Sequence, residues 1–151
     1  MELDEPRANE VLVKIVATGI CHTDLVVRDQ GIPAPLPIVL GHEGAGIVEQ
    51  VGNQVTKLRP GDHMVLSYPA CWACDYCRSG HAYYCEQDFR LAFGGSRLDG
   101  TSPPSQDGTP INGAFFQQSS FGSYALAAEN NVIKVRGDIP LEVIGPLGCA
   151  E

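Results

Sequence analysis

Four cysteines lie close together in the sequence, at Cys71, Cys74, Cys77 and Cys85, in the pattern C-x2-C-x2-C-x7-C. Thiolates are soft ligands, and four of them in one short loop can complete a tetrahedral shell around Zn²⁺. Because the ligands are near one another along the chain, closing the loop costs little entropy. Such a shell leaves no open position for a substrate, so the pattern predicts a structural zinc lobe at about residues 69–90.

Other uses of these cysteines fit the sequence less well. A bacterial iron–sulfur run has a shorter final gap and a following proline, whereas Glu86 follows Cys85 here. Disulfides would suit a secreted chain, but the N-terminal segment is acidic and lacks the apolar run of a signal peptide. Iron–sulfur ligation, disulfides and inert thiols therefore stay as alternatives to zinc.

A second set of possible ligands is spread along the chain. His42 and Glu43 lie side by side in a glycine-dense segment whose small residues leave space for a metal and a substrate. With the two remaining cysteines, Cys21 and Cys149, His42 would form a Cys2His set, which is a known catalytic zinc set with an open fourth position. The alternatives are a His–Glu pair satisfied within the protein and a Cys149 that is only a small buried side chain.

Composition narrows the possible functions. A net charge of −8 argues against a nucleic-acid or anionic-membrane partner, and no apolar stretch is long enough to cross a bilayer. With 17 glycines and 11 prolines in 151 residues, we expect one turn-rich, mainly β domain. A chain of this kind without a signal peptide is expected in the cytoplasm.

The elements that must position these residues are short. Apolar and β-branched patterns predict strands over 10–20, 46–51, 63–67, 124–128 and 132–135. Helices are predicted after Cys21, capped by Thr23 or Asp24, and after Pro140. Residues 94–114 are predicted to form a long irregular loop. No G-x-G-x-x-G motif is present, so a dinucleotide-binding Rossmann unit is not expected.

Together these motifs resemble the catalytic domain of the zinc-containing medium-chain alcohol dehydrogenases. The resemblance covers nearly the whole chain, and the cysteine loop with the insert after it is most similar to the aryl-alcohol (benzyl-alcohol) branch. It implies a GroES-like, partly open β-barrel over residues 1–151, with short helices, a zinc-binding loop and no coenzyme domain. The apolar end of the chain suggests a cut within a longer polypeptide, with a natural terminus as the alternative. The motifs that carry the resemblance are residues 41–46 with Gly52 and Val55, the Gly61-Asp62 turn, residues 21–24 and the four-cysteine loop.

The resemblance also implies roles for single residues. Glu43 would be a transient or outer ligand, Asp24 would orient His42, Thr23 would accept the alcohol proton, and His22 would contact the coenzyme pyrophosphate. Helix capping by Thr23 and Asp24, and an ordinary exposed His22, are the simpler alternatives. Many family members end the proton relay at a histidine where this chain has Val26, so the relay would end through His22 or water. The zinc ligands would be Cys21, His42 and Cys149 at the catalytic site and Cys71, Cys74, Cys77 and Cys85 at the structural site.

The expected activity of the longer enzyme is oxidation of a primary, aromatic alcohol to an aldehyde with NAD or NADP. We expect two zinc ions per chain, small-molecule alcohol and aldehyde partners, and a homo-oligomer, while the fragment alone would be inactive. A zinc-stabilised structural or interaction module is the alternative from another class, and a glutathione- or polyol-directed enzyme is an alternative within the family. Tyr68, Trp72 and Phe93 could line an aromatic pocket or simply fill the core.

Overall fold

The computed structural model describes residues 1–149. Its main sheet has five antiparallel strands, in the spatial order β7-β2-β3-β4-β8, and a smaller antiparallel sheet has the order β1-β5-β6. Because the sheets are antiparallel throughout, neither contains the parallel β-α-β unit of a coenzyme-binding domain. The strands are β1 (Glu2–Leu3), β2 (Glu10–Thr18), β3 (Gly44–Val51), β4 (His63–Leu66), β5 (Pro104–Gln106), β6 (Thr109–Pro110), β7 (Tyr124–Ala128) and β8 (Val132–Lys134).

The main core lies on one face of the larger sheet. Val11 and Val13 on β2 are fully buried and belong to one cluster with apolar side chains of β3, β4 and β7. Burying each such side chain contributes roughly 1.5–3 kcal/mol. The pairing of β2 with β3 shifts register twice, between Leu12 and Val13 and between Ile15 and Ala17. Irregularities of this kind bend a strand, which curls the sheet into the predicted half-open barrel.

Short helices connect the strands within the described residues. They are α1 (His22–Arg28), α2 (Asp75–Arg78), α3 (Asp88–Phe93) and α4 (Leu141–Ile144). The two predicted helices are present, although Pro140 lies just before α4 with an extended backbone and is not its first helical residue. Helices α2 and α3 were not predicted, because the cysteine spacing dominates the pattern of that segment.

The prediction of an irregular loop over 94–114 is wrong in its middle part. Strands β5 and β6 form a hairpin there, and β1 pairs with β5. The turn residues Asp107 and Gly108 have φ angles of 52° and 76°, as a two-residue hairpin of the primed type requires. The Asp-Gly pair is a strong hairpin signal in the sequence, and the surrounding Ser, Pro and Gly residues obscured it.

Helix α4 brings the end of the described chain to the main sheet. Leu141 and Ile144 pack with Ala45 and Val65 in a second buried cluster. A turn then places Gly148 so close to the strand that a Cβ atom would lie 1.9 Å from the carbonyl oxygen of Leu66. Only glycine fits this contact, which sets the position of Cys149.

Candidate metal centres

The four cysteines of the lobe converge on one point. Their sulfur atoms all lie within 4.8 Å of one another, and the Sγ atoms of Cys71 and Cys77 are 3.9 Å apart. Sulfurs around a tetrahedral Zn²⁺ with bonds of about 2.3 Å would be separated by about 3.8 Å. A separation of 3.9 Å is too long for a disulfide bond, whose length is about 2.05 Å. The lobe therefore has the donor set and spacing of a structural zinc site.

Backbone amides support the negative charge of the thiolates in this lobe. The Cys71 sulfur accepts N–H bonds from Ala73 at 3.5 Å and Cys74 at 3.3 Å, helped by a left-handed Trp72 with φ of 55°. Burial raises the pKa of the Cys71 thiol, but these bonds outweigh it and lower the pKa to about 6. The Cys85 sulfur accepts a further N–H bond, from Cys71 at 3.2 Å.

A second group of ligand atoms lies at the barrel, away from the lobe. One ligand atom each from Cys21, His42, Glu43 and Cys149 lies within 4.8 Å of the others. Cys21 precedes α1, His42 and Glu43 precede β3, and Cys149 follows α4. The structure thus brings together three parts of the chain that are distant in sequence.

The His42 side chain has the surroundings of a metal ligand. It is 2% exposed, its Nδ1 lies 3.3 Å from Asp24 Oδ1, and its Nε2 is buried without a hydrogen-bond partner. A buried polar atom without a partner is rare and needs an explanation, and a metal ion between this nitrogen and the two cysteine sulfurs provides one. A carboxylate on the other ring nitrogen is the usual support of a metal-bound histidine.

Asp24 organises the site beyond its contact with His42. Its Oδ2 accepts the Cys21 N–H at 3.0 Å, and its Oδ1 accepts the Gly41 N–H at 2.9 Å. The same carboxylate therefore joins the start of α1 to the segment that carries His42. Burial lowers the pKa of His42, but the contact with Asp24 outweighs it and the net direction is upward.

The other predicted residues lie around this group. Thr23 Oγ1 is 3.6 Å from Cys21 Sγ. Burial raises the pKa of the Cys21 thiol, but its hydrogen bonds with Thr23 and the charge of the neighbouring His42 lower it overall. Glu43 is 6% exposed and its carbonyl accepts the Gly19 N–H at 3.1 Å. His22 is exposed at the first turn of α1.

Two phenylalanines that the sequence analysis missed complete the site. Phe116 stacks on the His42 ring with centroids 4.4 Å apart, and Phe115 meets the ring edge at 5.5 Å. Tyr68 and Phe93, two of the three proposed pocket aromatics, contact Phe116 at 5.8 Å and 5.3 Å. The signal for this wall was the adjacent phenylalanine pair that directly follows the segment predicted to be a loop.

Trp72, the third of the proposed pocket aromatics, does not belong to this aromatic wall. It is half exposed and lines a cavity together with Arg97 and Leu98. Tyr68 is close to the candidate ligands of the barrel site, with its hydroxyl 3.5 Å from Cys149 Sγ. That contact and burial raise the pKa of the Tyr68 phenol to about 12, so it stays protonated. An aromatic wall with one neutral hydroxyl therefore borders the ligand group.

Comparison with known proteins decides the family. The alcohol dehydrogenase GroES-like domain matches residues 7–137. The chain belongs to this family. The predicted GroES-like barrel and the predicted resemblance to zinc-containing alcohol dehydrogenases are thereby confirmed. A separate finding is that no helix among residues 1–149 is long and apolar enough to cross a membrane.

Three relatives of this alcohol dehydrogenase domain are informative. It is 52% identical to a geraniol dehydrogenase of Castellaniella defragrans over 99% of the chain and 40% of that protein. An alcohol dehydrogenase zinc-binding domain protein from Burkholderia ambifaria superposes on this chain with a TM-score of 0.94 at 58% identity. The superposition covers 97% of this chain and 40% of the Burkholderia chain. Benzyl alcohol dehydrogenase from Acinetobacter calcoaceticus superposes with a TM-score of 0.93 at 51% identity, covering 98% and 40%. The chain thus spans about 40% of the length of these relatives.

Proposed function

We propose that this chain is the zinc-binding catalytic part of a longer alcohol dehydrogenase that oxidises a primary, aromatic alcohol to an aldehyde with NAD or NADP. The observation that carries the proposal is the buried, unpartnered Nε2 of His42, on a ring that has a ligand atom within 4.8 Å of ligand atoms of Cys21 and Cys149. The other buried ring nitrogen without a partner, Nδ1 of His63, belongs to no ligand group among the described residues, so it is the convergence on two cysteines that sets His42 apart. The bulk of the coenzyme site would lie in the part of the protein outside this sequence.

Each residue of the site has a chemical task in this proposal. Cys21, His42 and Cys149 would hold one zinc ion, and the four-cysteine lobe would hold the other. Bound zinc supplies a Lewis acid that polarises an alcohol oxygen and lowers its pKa. Asp24 keeps the His42 ring oriented, and Glu43 stands beside the ligands as an outer carboxylate.

Thr23 is the proposed acceptor of the alcohol proton. Its hydroxyl lies 3.6 Å from the Cys21 sulfur, next to the ligand group. A hydroxyl can accept one proton while it donates its own to a neighbour, which is what a relay requires. Because Val26 cannot carry a proton, we place the end of the relay at the exposed His22 or at water. His22 would also contact the coenzyme pyrophosphate.

The aromatic wall supports an alcohol with an unsaturated group beside its hydroxyl carbon. Tyr68 is half exposed beside the ligand group and rests against the buried ring of Phe116, and an exposed aromatic ring favours flat, polarisable partners. Two relatives carry the names geraniol dehydrogenase and benzyl alcohol dehydrogenase. Geraniol and benzyl alcohol are both primary alcohols of this chemical kind. A homo-oligomeric state is part of the proposal for the longer enzyme.

A chimeric enzyme tests the function. This chain would replace the matching 40% of the Castellaniella defragrans geraniol dehydrogenase, and reduction of NAD or NADP would be followed with benzyl alcohol, geraniol and ethanol. We expect turnover with the first two alcohols and loss of turnover in a His42→Ala chimera. The 151-residue chain alone should show no turnover. A folded, zinc-loaded chimera without alcohol oxidation would contradict the proposal and favour a structural module.

A further inference from the structure

The orientation of the His42 ring depends on Phe116 as well as on Asp24. Phe116 stacks on one face of the imidazole, with an angle of 19° between the ring planes. The contact with Asp24 at 3.3 Å fixes one nitrogen but still allows the ring to rotate about that contact. The stack fixes the plane of the ring, and so it fixes the direction in which Nε2 points.

Phe116 belongs to a strained segment. Phe116, Gln117 and Ser119 have φ angles of 49°, 52° and 46°, although none of them is glycine. Left-handed backbone is uncommon for residues with a side chain, and it is least favourable for bulky ones. Such conformations persist only where the surroundings hold them, and they cluster at functional sites.

The side chain of Gln117 ties this segment to its surroundings. Its Nε2 lies 2.9 Å from the Ser96 carbonyl oxygen, 3.1 Å from that of Leu91 and 3.2 Å from that of Ala114. Two amide protons are thus shared among three acceptors. Leu91 belongs to α3, whose Phe93 meets Phe116 in an edge-to-face contact with ring centroids 5.3 Å apart. Gln117 therefore connects the strained turn to the helix that supports Phe116.

We infer that Gln117 is a positioning residue of the His42 site. By holding the turn against α3, its amide keeps Phe116 on the imidazole and directs Nε2 toward the point shared with Cys21 and Cys149. This inference rests on the proposed function in one respect, namely that a metal ion binds at that point. The effect on the ring itself needs no metal.

Three substitutions separate hydrogen bonding from side-chain size. Gln117→Ala removes the amide, Gln117→Glu keeps the length but has no N–H to donate, and Gln117→Lys keeps N–H donors for the same carbonyls. Gln30→Ala is the matched control, because Gln30 also has a left-handed backbone, with φ of 59°, and its amide donates to the Val27 carbonyl at 3.1 Å.

The primary readout is the NMR signal of His42 in the 151-residue chain labelled at its histidines. Stacking under Phe116 shifts the ring protons of His42 upfield. We expect Gln117→Ala and Gln117→Glu to move them toward the position of an unstacked imidazole, while Gln117→Lys and Gln30→Ala leave them in place. The signals of His63 and His81 report whether each variant is folded.

The second readout is the dissociation constant of zinc at the site that depends on Cys149. We expect it to rise about tenfold in Gln117→Ala and Gln117→Glu, as for other residues that support metal ligands. Equal behaviour of the Glu and Lys variants in both readouts would overturn the inference, even if the Ala variant failed to fold. Absence of Cys149-dependent zinc binding in the wild type would instead contradict the proposed function.

Discussion

Asp24 shows how much of the site rests on one residue. Its two carboxylate oxygens face the Cys21 N–H, the Gly41 N–H and the His42 Nδ1 while the side chain is 2% exposed. The sequence interpretation offered two roles for Asp24, as a helix cap and as the partner of His42. The contact with His42 is present, but the cap prediction needs correction: α1 begins at His22, its N-cap is Cys21, and Asp24 is the third helical residue, whose side chain accepts the Cys21 N–H.

Asp24→Asn should weaken the barrel site and the fold together. An asparagine has only one oxygen, so its amide N–H₂ must face at least one N–H group that the carboxylate now accepts. Leaving a buried donor unsatisfied costs about 1–3 kcal/mol. We also expect the dissociation constant of zinc at the Cys149-dependent site to rise by about 10- to 100-fold. Chelator competition and urea unfolding would measure the two effects.

Asp29→Asn is the matched control for this prediction. Asp29 follows the same helix, is largely exposed, and pairs with its exposed neighbour Arg28. Its substitution should change the free energy of unfolding by less than about 0.5 kcal/mol. Equal effects of the two substitutions would show that the buried contacts of Asp24 contribute neither to zinc affinity nor to the free energy of unfolding.

Among the elements of the fold, those that could be predicted are the ones whose signal lies in residues close together in the sequence. The convergence of the four cysteines follows from their spacing, and β2 follows from its run of β-branched residues. The stack of Phe116 on His42 could not be read from the sequence, because nothing in the residue types of 114–119 signals a left-handed backbone. Those angles depend on carbonyl groups of α3 and its flanks that are distant in sequence.

The hairpin of β5 and β6 gives a prediction at the same scale. Gly108 has a φ of 76°, and nothing lies near the position of an added Cβ atom, so Gly108→Ala is a test of backbone strain alone. We expect it to lower the free energy of unfolding by about 1–2 kcal/mol. Gly137→Ala is the control, because Gly137 also has open space around it but no positive φ. If thermal unfolding of the two variants were equal, the turn would not have the conformation described.

For the whole molecule, the two candidate metal centres differ in which elements they require. The lobe takes its ligands from one short segment and forms a small cluster of its own around Cys77, Cys85 and Leu91. The barrel site requires the sheet, α1 and the turn after α4 to be in place at the same time. Zinc at the barrel site should therefore be lost first on partial unfolding, while the lobe keeps its ion.

Zinc stoichiometry of the reduced chain tests the central claim most directly. Native mass spectrometry after zinc titration would compare the wild type with Cys149→Ser, which removes a ligand of the barrel site, and Cys77→Ser, which removes one of the lobe. We predict two zinc ions in the wild type and one tightly bound ion in each variant. A single ion in both the wild type and Cys149→Ser, with none in Cys77→Ser, would contradict a catalytic metal site at Cys21, His42 and Cys149.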